Sequence, residues 1–160
     1  MVPEGAGKGA GAGRDTLSDE SYARLLEFRT GLRRFERWSE QQAAAAGLTS
    51  AQHQLLLAVR GHGDRRGPTV GDLSEYLLLR HHSVVELIDR AVAAGLVRRR
   101  PDADDRRLVR IRPTAHGTAV LRRLTRAHLA ELGRLAPALE ALWAGLEPTT
   151  HLPPAQRDGG

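Results

Sequence analysis

Apolar residues recur at three- and four-residue steps through most of the chain between residues 17 and 146, and this spacing predicts a mainly helical protein. The first helix is predicted to begin after Ser18, which suits a helix cap, and to end near Ala46 and Gly47. A second long apolar seam follows Thr114, which is also a suitable cap. The two seams consist of Leu25, Phe28, Leu32 and Phe35 in the first case and of Val120, Leu121, Leu124, Ala127, Leu132 and Leu135 in the second.

Both ends of the chain lack this pattern. Residues 1–16 alternate glycine and alanine with few large apolar groups, which predicts a disordered leader, and the polar residues 147–160 predict a flexible tail. Pro137 suits the first position of a helix, so a separate last helix is predicted to begin there and to carry Leu139, Leu142, Trp143 and Leu146. The folded part is therefore one domain over residues 17–146.

Three shorter helices are predicted between the two long seams. The first begins after Thr49 and runs toward Gly61. The next begins after Thr69, which forms with Asp72 the Thr-x-x-acid pattern of a capping box. The third ends at Gly95, which can adopt the left-handed conformation of a helix stop.

The third short helix has two distinct faces. Its apolar face consists of Val84, Leu87, Ile88 and Ala91. The opposite, polar face carries His82, Glu86, Asp89 and Ala93, flanked by Ser83, Val85 and Arg90. The polar face is the one that could enter a groove.

A β-hairpin is predicted after that helix. Residues 96–100 and 108–112 both suit strands, and residues 101–107 between them are rich in turn formers. The stretch 98–112 contains seven arginines and three aspartates, an excess of four positive charges in a chain whose formal net charge is +5. Most of the net charge therefore lies on one hairpin.

Arginine supplies nearly all of the positive charge, since Lys8 is the only lysine among 24 basic residues. The planar guanidinium matches phosphates and guanine edges, so this composition favours a nucleic-acid partner over a merely solvated basic surface. Of the six aromatic residues only Tyr76 lies in the central part of the chain, which argues against base stacking on RNA or single strands. Duplex DNA is the favoured partner.

Several other classes of protein are not supported. The absence of cysteine removes disulfides, thiolate metal sites and thiol switches. Adjacent His81 and His82 point about 100° apart on a helix, and no histidine pair has a ligand spacing with a carboxylate, so no metal or other cofactor is expected. No phosphate loop, nucleophile elbow or catalytic dyad suggests an enzyme. No apolar run suits a membrane span, so a cytoplasmic, nucleoid-associated protein is expected.

A series of short motifs resembles the MarR family of bacterial transcription regulators over about residues 17–146. The motifs are Asp89-Arg90, Gly95-Leu96-Val97-Arg98-Arg99, Asp102-x-x-Asp105-Arg106-Arg107 and Val109-x-Ile111-x-Pro113-Thr114-x-x-Gly117, preceded by Leu48-Thr49, Gln52 and Leu55-Leu56. The resemblance implies a mainly α fold with a small β-hairpin wing (α+β), in which residues 49–112 form a winged helix-turn-helix DNA-binding lobe. It also implies a homodimer held by flanking helices over residues 17–46 and 114–146.

The resemblance further implies which residues contact DNA. The helix from about His81 to Ala94 would be the recognition helix in the major groove, and Arg107 at the wing tip would enter the adjacent minor groove. The expected contacts are Arg80, His82, Ser83, Val85, Glu86, Arg90, Arg106 and Arg107. Glu86 and Pro113 depart from the basic residue and the leucine usual at these positions. Glu86 either accepts from cytosine N4 or repels phosphates and lowers non-specific binding.

Two further sets of residues are expected to serve the dimer and an effector. The dimer set consists of Leu25, Phe28, Leu32, Leu121, Leu124 and Trp143. The resemblance implies a pocket for a small-molecule effector where the DNA-binding lobe meets the dimer helices. The expected effector contacts are Phe35, Trp38, His53 and His81, for which packing in the core or at the dimer interface is the other interpretation.

The sequence therefore predicts a sequence-specific regulator that binds double-stranded DNA, a ligand-responsive repressor acting as a homodimer on a pseudo-palindromic operator. The alternative is a winged-helix protein-interaction module without specific DNA binding, because a fold does not by itself fix a function. The arginine-rich wing favours DNA.

Overall fold

The computed structural model describes residues 17–144, with side chains through Leu142. The elements are α1 (Asp19–Ala45), α2 (Ser50–Gly61), α3 (Val70–Leu77), α4 (His81–Ala93), β1 (Val97–Pro101), β2 (Val109–Pro113) and α5 (Ala115–Ala144). The predicted mainly helical fold with a small hairpin wing is confirmed. The expected leader and tail, Leu146 and the side chain of Trp143 lie outside the described part of the chain. No described helix is long and apolar enough to cross a membrane.

Local capping determines where the helices begin. Ser18 accepts a hydrogen bond from the backbone three residues further along and caps α1. Thr49 and Gln52 form a capping box at the start of α2. At the start of α3 the Thr69 amide donates to Asp72 Oδ2 over 2.8 Å, and the Asp72 amide donates to Thr69 Oγ1 over 3.2 Å. The predicted starts of all three helices are confirmed.

The wing is an antiparallel pair whose strands each begin one residue later than predicted. Leu96 is excluded from β1 because its amide donates to the Ala91 carbonyl over 2.9 Å, completing the end of α4 after Gly95 at a φ of 67°. Leu108 is excluded from β2 because its amide donates to the Asp105 carbonyl over 2.9 Å and closes the turn at the tip. Both strands consequently end on a proline.

The last helix continues through Pro137, so the prediction of a separate helix beginning there was wrong. Proline removes one backbone hydrogen bond, and its ring crowds the carbonyl four residues earlier. The surrounding residues, including Ala136, Ala138 and Leu139, are strong helix formers and keep the chain helical on both sides.

The core lies where the short helices meet the hairpin and α5. Its most deeply buried large side chains include Leu55, Leu56, Leu73, Val84, Leu87, Ile88, Leu96 and Ile111. Leu121 and Leu124 attach α5 to this core, and each is only 3% exposed in the single chain. These two leucines were expected to hold a dimer, but the chain's own core covers them and a second copy cannot reach them.

The start of α5 is fixed against the residues that end α4. The Thr114 hydroxyl donates to the Gly95 carbonyl over 2.6 Å and accepts from the Gly117 amide over 2.9 Å, which confirms Thr114 as the predicted cap. A Cβ placed at Gly117 would overlap the Leu96 carbonyl oxygen. The chain therefore requires glycine at this crossing.

Candidate nucleic-acid interface

Helix α4 turns a polar face to solvent. Its apolar residues Val84, Leu87, Ile88 and Ala91 are buried. On the other side His82, Glu86 and Asp89 are exposed, and Ser83 and Val85 lie half-buried at the edges. This is the division of faces that the helical period predicted.

The N-terminal end of α4 has no side-chain cap. Arg80 occupies the cap position without a side-chain hydrogen bond to the first turn. Leu78, which ends α3, adopts a left-handed φ of 53° with its side chain exposed, and the chain turns there toward α4. The first amides of a helix favour anions. With Arg80, His81 and His82 all exposed, this end is suited to a phosphate.

Two ion pairs engage charged residues of α4. Glu86 Oε2 lies 3.9 Å from Arg90 Nη1, one turn further along the helix. Asp89 Oδ1 lies 2.7 Å from Arg99 Nη2 on β1, so this pair joins the helix to the wing. Exposed pairs of this kind contribute only about 0–1 kcal/mol to stability. Their main effect is to orient the side chains and the two elements.

The tip of the wing is organised around the buried carboxylate of Asp102. It accepts from the backbone amides of Asp104 over 2.9 Å and Asp105 over 3.1 Å, and from Arg110 Nε over 2.6 Å. The amide of Asp104, then Arg110, then the amide of Asp105 lower the pKa of Asp102 to about 2. The tip is thus held around a negative charge that belongs to the wing itself.

The loop between α2 and α3 clamps the wing. Arg66 Nη1 lies 2.9 Å from Asp104 Oδ2, and Arg66 Nη2 lies 2.9 Å from Asp64 Oδ2. The hydrogen bonds of Arg66, first from its side chain and then from its backbone, lower the pKa of Asp64 to about 2. The Ile111 amide on β2 also donates to the Pro68 carbonyl over 2.9 Å. This clamp was not predicted from the sequence, because Arg66 and Asp104 are 38 positions apart in the chain.

Arg106 and Arg107 project from the tip. The side chain of Arg107 is 91% exposed and lies 3.2 Å from Asp105 through its Nε. Arg106 is exposed and makes no ion pair or side-chain hydrogen bond within residues 17–144. Both guanidinium groups can therefore reach a partner beyond the tip.

The seven hairpin arginines do not form one uniform basic surface. Arg110 is buried and donates to Asp102 and, over 3.1 Å, to the Gly67 carbonyl. Arg99 is engaged by Asp89, and Arg112 donates to the Arg65 carbonyl. Arg99, Arg110 and Arg112 therefore stabilise the wing. The number of arginines in the sequence does not show this role.

A cluster of four rings joins α1, α2 and α5; we call it the ring cluster. Its members are Phe35, Trp38, His53 and His128, with ring centroids 4.7–5.9 Å apart in the contacting pairs. His53 is buried and its Nδ1 has no hydrogen-bond partner. Burial, followed by the charge of His128, lowers the pKa of His53. Three of the four residues expected at an effector pocket thus come together.

His81 does not join them. It was expected among the effector contacts, but it is exposed at the first position of α4. His128 takes the place in the ring cluster instead. Its Nδ1 donates to the Leu124 carbonyl over 2.8 Å, and its Nε2 shares a hydrogen bond of 2.7 Å with the Ser39 hydroxyl. The spacing of His128 from Leu121 and Leu124, seven and four residues, was the signal that it faces inward.

Comparisons with known proteins agree with this architecture. Residues 46–108 match the sequence model of the MarR family. The MarR family transcription regulator SP03579 superposes with a TM-score of 0.67 at 22% identity, over 79% of this chain and 83% of its own. AbsC, a MarR family transcriptional regulator from Streptomyces coelicolor, has a TM-score of 0.64 at 22% identity, over 82% of this chain and 99% of its own.

A third similar structure contains nucleic acid. A mutant of MepR from S. aureus, solved bound to an oligodeoxyribonucleotide, has a TM-score of 0.56 at 20% identity, over 79% of this chain and 85% of its own. No curated protein matches the chain in sequence. The family model thus matches the winged-helix lobe, and the described chain has the fold of solved MarR family structures, the family whose motifs the sequence resembles.

Proposed function

We propose that this chain is a sequence-specific regulator of transcription that binds double-stranded DNA as a homodimer on a pseudo-palindromic operator. The observation that carries the proposal is the exposed polar face of α4 held beside an arginine-tipped wing by the ion pair of Asp89 with Arg99. A polar helix suits the major groove, and an arginine suits a narrow minor groove. The structural similarity to MepR, which was solved with an oligodeoxyribonucleotide, supports the same partner.

In this proposal the side chains of α4 contact base edges, and residues next to them bind the DNA backbone. His82, Ser83 and Val85 lie toward the exposed start of α4, where side chains of a recognition helix reach base edges. Arg80 and the uncapped amides of the first turn bind a phosphate. Arg106 and Arg107 extend from the wing into the minor groove.

Glu86 and Arg90 act together on the same face. Their side chains are 3.9 Å apart, so Glu86 partly neutralises Arg90 and restrains its direction. An acid on a DNA-facing helix also discourages non-specific contact with phosphates, while it can accept from cytosine N4 at a suitable site. Both effects would increase selectivity.

The homodimer rests on exposed apolar side chains of the flanking helices. Leu25 and Leu32 on α1 are exposed in the single chain, and Phe28 between them is half-buried. Further exposed apolar groups on the same two helices are Tyr22, Leu26, Leu129 and Leu132. Apolar side chains in such a row favour burial against a second copy. Two lobes would then be held at the spacing of two half-sites.

The ring cluster is the place at which an effector would act on a repressor of this kind. Phe35 and Trp38 belong to α1, His53 to α2 of the DNA-binding lobe and His128 to α5, so the cluster joins the lobe to both dimer helices. A ligand that separates the rings would move the lobe relative to its partner. This would change half-site spacing and release the operator.

The test begins by selecting bound fragments of genomic DNA with the purified full chain, which identifies the operator. Titration of that duplex by fluorescence anisotropy then compares the wild type with Arg107→Ala. The variant is expected to bind about 1–3 kcal/mol more weakly at low salt, because it loses a minor-groove arginine. The matched control is Arg134→Ala on α5, which removes an exposed arginine paired with Glu131 and is expected to bind like the wild type.

Two outcomes would contradict the proposal. Equal affinity of Arg107→Ala and the wild type would remove the wing from the interface. Failure of the full chain to enrich any sequence would instead favour the protein-interaction module, because that alternative needs no operator.

A further inference from the structure

The pairing of the two strands places four arginines on one side of the wing. In the antiparallel register Arg98 lies opposite Arg112, and Arg100 lies opposite Arg110. Side chains alternate along a strand, so these four share one side, which we call the arginine face. The other side carries Val97 and Ile111, which are buried in the core.

Opposed like charges on a strand pair are destabilising unless something compensates them. On β2 both arginines are engaged, Arg110 by Asp102 and Arg112 by the Arg65 carbonyl. On β1 neither Arg98 nor Arg100 makes an ion pair or a side-chain hydrogen bond within residues 17–144, and both are exposed. The β1 half of the arginine face therefore holds two uncompensated positive charges side by side.

These charges border a shallow depression of about 240 Å³. It is lined by the arginine face together with Arg66, and by Asp102, which is the one acid in the lining. Asp102 is already committed to Arg110 and to two backbone amides. Little negative charge is left to balance Arg98 and Arg100, so the depression is suited to an anionic ligand.

The repeat of the charges fits a polyanion better than a single ion. Arg98 and Arg100 are two residues apart on a strand, which separates them by about 6.8 Å. Along one strand of duplex DNA the phosphates rise by about 3.4 Å per nucleotide, so this separation corresponds to two steps along the axis and the two guanidinium groups can meet two phosphates of one strand. A negatively charged backbone passing along β1 would meet both of them.

The direction of the arginine face determines which part of the duplex it meets. Arg99, on the opposite side of β1, pairs with Asp89 of α4, so the core side of the wing faces the recognition helix. Arg98 and Arg100 consequently point away from α4. DNA that contacts them lies outside the segment that α4 and the wing tip occupy.

We propose that the arginine face, through Arg98 and Arg100, binds the phosphodiester backbone of the DNA that flanks the operator. This inference rests on the proposed function and extends it, since flanking contacts add affinity and a longer footprint without adding sequence information. The wing then has two tasks at two places: the tip enters the minor groove, and the arginine face holds the backbone beyond it.

The experiment uses the full chain and two duplexes, the selected operator alone and the same operator with unrelated flanks of about one helical turn on each side. The wild type is expected to bind the flanked duplex more tightly. Arg98→Ala/Arg100→Ala is expected to lose this gain while it binds the short duplex like the wild type. On the flanked duplex the slope of log K against log salt should fall by about 0.9 for each phosphate that is no longer neutralised, or up to about 3.6 for two protomers.

The matched control is Arg122→Ala/Arg123→Ala, which removes the same charge from two exposed positions on α5 and should keep both the gain and the slope. An unchanged gain and slope in Arg98→Ala/Arg100→Ala would overturn the inference. Equal weakening on the short and the flanked duplex would also overturn it, because the two arginines would then bind within the operator. Failure of the wild type to bind either duplex would refute the proposed function itself and is distinguishable from both.

Discussion

Arg110 Nε donates to Asp102 Oδ2 over 2.6 Å, and both side chains are buried at the base of the wing tip. A buried ion pair is costly to break because each partner leaves an uncompensated charge behind. Asp102 also accepts from the amides of Asp104 and Asp105, so one carboxylate holds the turn and the strand together. The presentation of Arg106 and Arg107 depends on this carboxylate being charged.

Asp102→Asn is therefore expected to destabilise the protein at neutral pH. It should also make the free energy of unfolding less dependent on pH in the acid range. The folded-state pKa of Asp102 is about 2, below the ordinary value of 3.8, so its stabilisation is present above about pH 3.8 and is lost as the pH falls toward about 2. Urea unfolding over this pH range measures the difference. Asp64 has a similarly lowered pKa, so the free energy of unfolding of the double variant with Asp64→Asn should depend even less on pH. Parallel pH profiles of the wild type and Asp102→Asn would contradict the assignment.

The ring cluster predicts a second pH dependence, nearer neutrality. Burial lowers the pKa of His53 below 6.5, so the folded chain favours neutral imidazole and its stability is expected to decline as the pH falls below about 6.5. His128 on α5 is the facing titratable group that depresses this pKa, and no described carboxylate bonds to either ring.

His53→Phe is the variant that tests this dependence. The substitution should remove the part of the pH dependence that is due to His53. It should change stability at neutral pH by less than about 1.5 kcal/mol, because it nearly conserves volume and removes an unpaired nitrogen. The free energy of unfolding measured against pH is the readout. His116→Phe, at an exposed position, is the control and should behave like the wild type. If His53→Phe retains the full decline, another group is responsible.

Gly117→Ala should lower stability, whereas Gly133→Ala on the same helix should not. A Cβ at Gly117 meets the Leu96 carbonyl oxygen and lies 3.2 Å from Leu56 Cδ2, so α5 must move away from the end of α4 at this crossing. The expected loss is about 1–3 kcal/mol. At Gly133 nothing lies within 4 Å of the added carbon, and alanine should stabilise the helix by about 0.5–1 kcal/mol. Thermal and urea unfolding of the pair measures both; an effect of equal size and sign at the two positions would show that the close approach to Leu96 does not control the result.

Leu25→Arg is expected to weaken the proposed dimer. The Leu25 side chain is 56% exposed on α1 of the single chain, so the substitution leaves the core intact but introduces a charge into an apolar interface. Truncation of a central interface residue can cost about 2 kcal/mol or more. Sedimentation should show a shift toward monomer and anisotropy should show weaker operator binding. Leu57→Arg, an exposed leucine on α2, is the control. A Leu25→Arg protein that remains dimeric would place the interface elsewhere.

The starts of the capped helices and the end of α4 could be predicted because the interactions that set them act within a few residues. Thr69 meets Asp72 three residues away, and Gly95 ends α4 through its own φ. The buried and exposed faces of α4 followed from the helical period for the same reason. Pro137 gave an ambiguous local signal, because proline can begin a helix or lie within one. The helix formers on both sides keep α5 continuous through it.

The partners of the charged and aromatic side chains could not be predicted, because they come from distant parts of the chain. Arg110 meets Gly67 across 43 positions and Ser39 meets His128 across 89, and periodicity says nothing about such pairs. The sequence by itself determined the helices, the wing and its charge, since local backbone preferences and apolar spacing encode them. Only the tertiary structure decided which arginines maintain the wing and which face outward, and that His128 rather than His81 joins the ring cluster, because burial depends on how the elements pack.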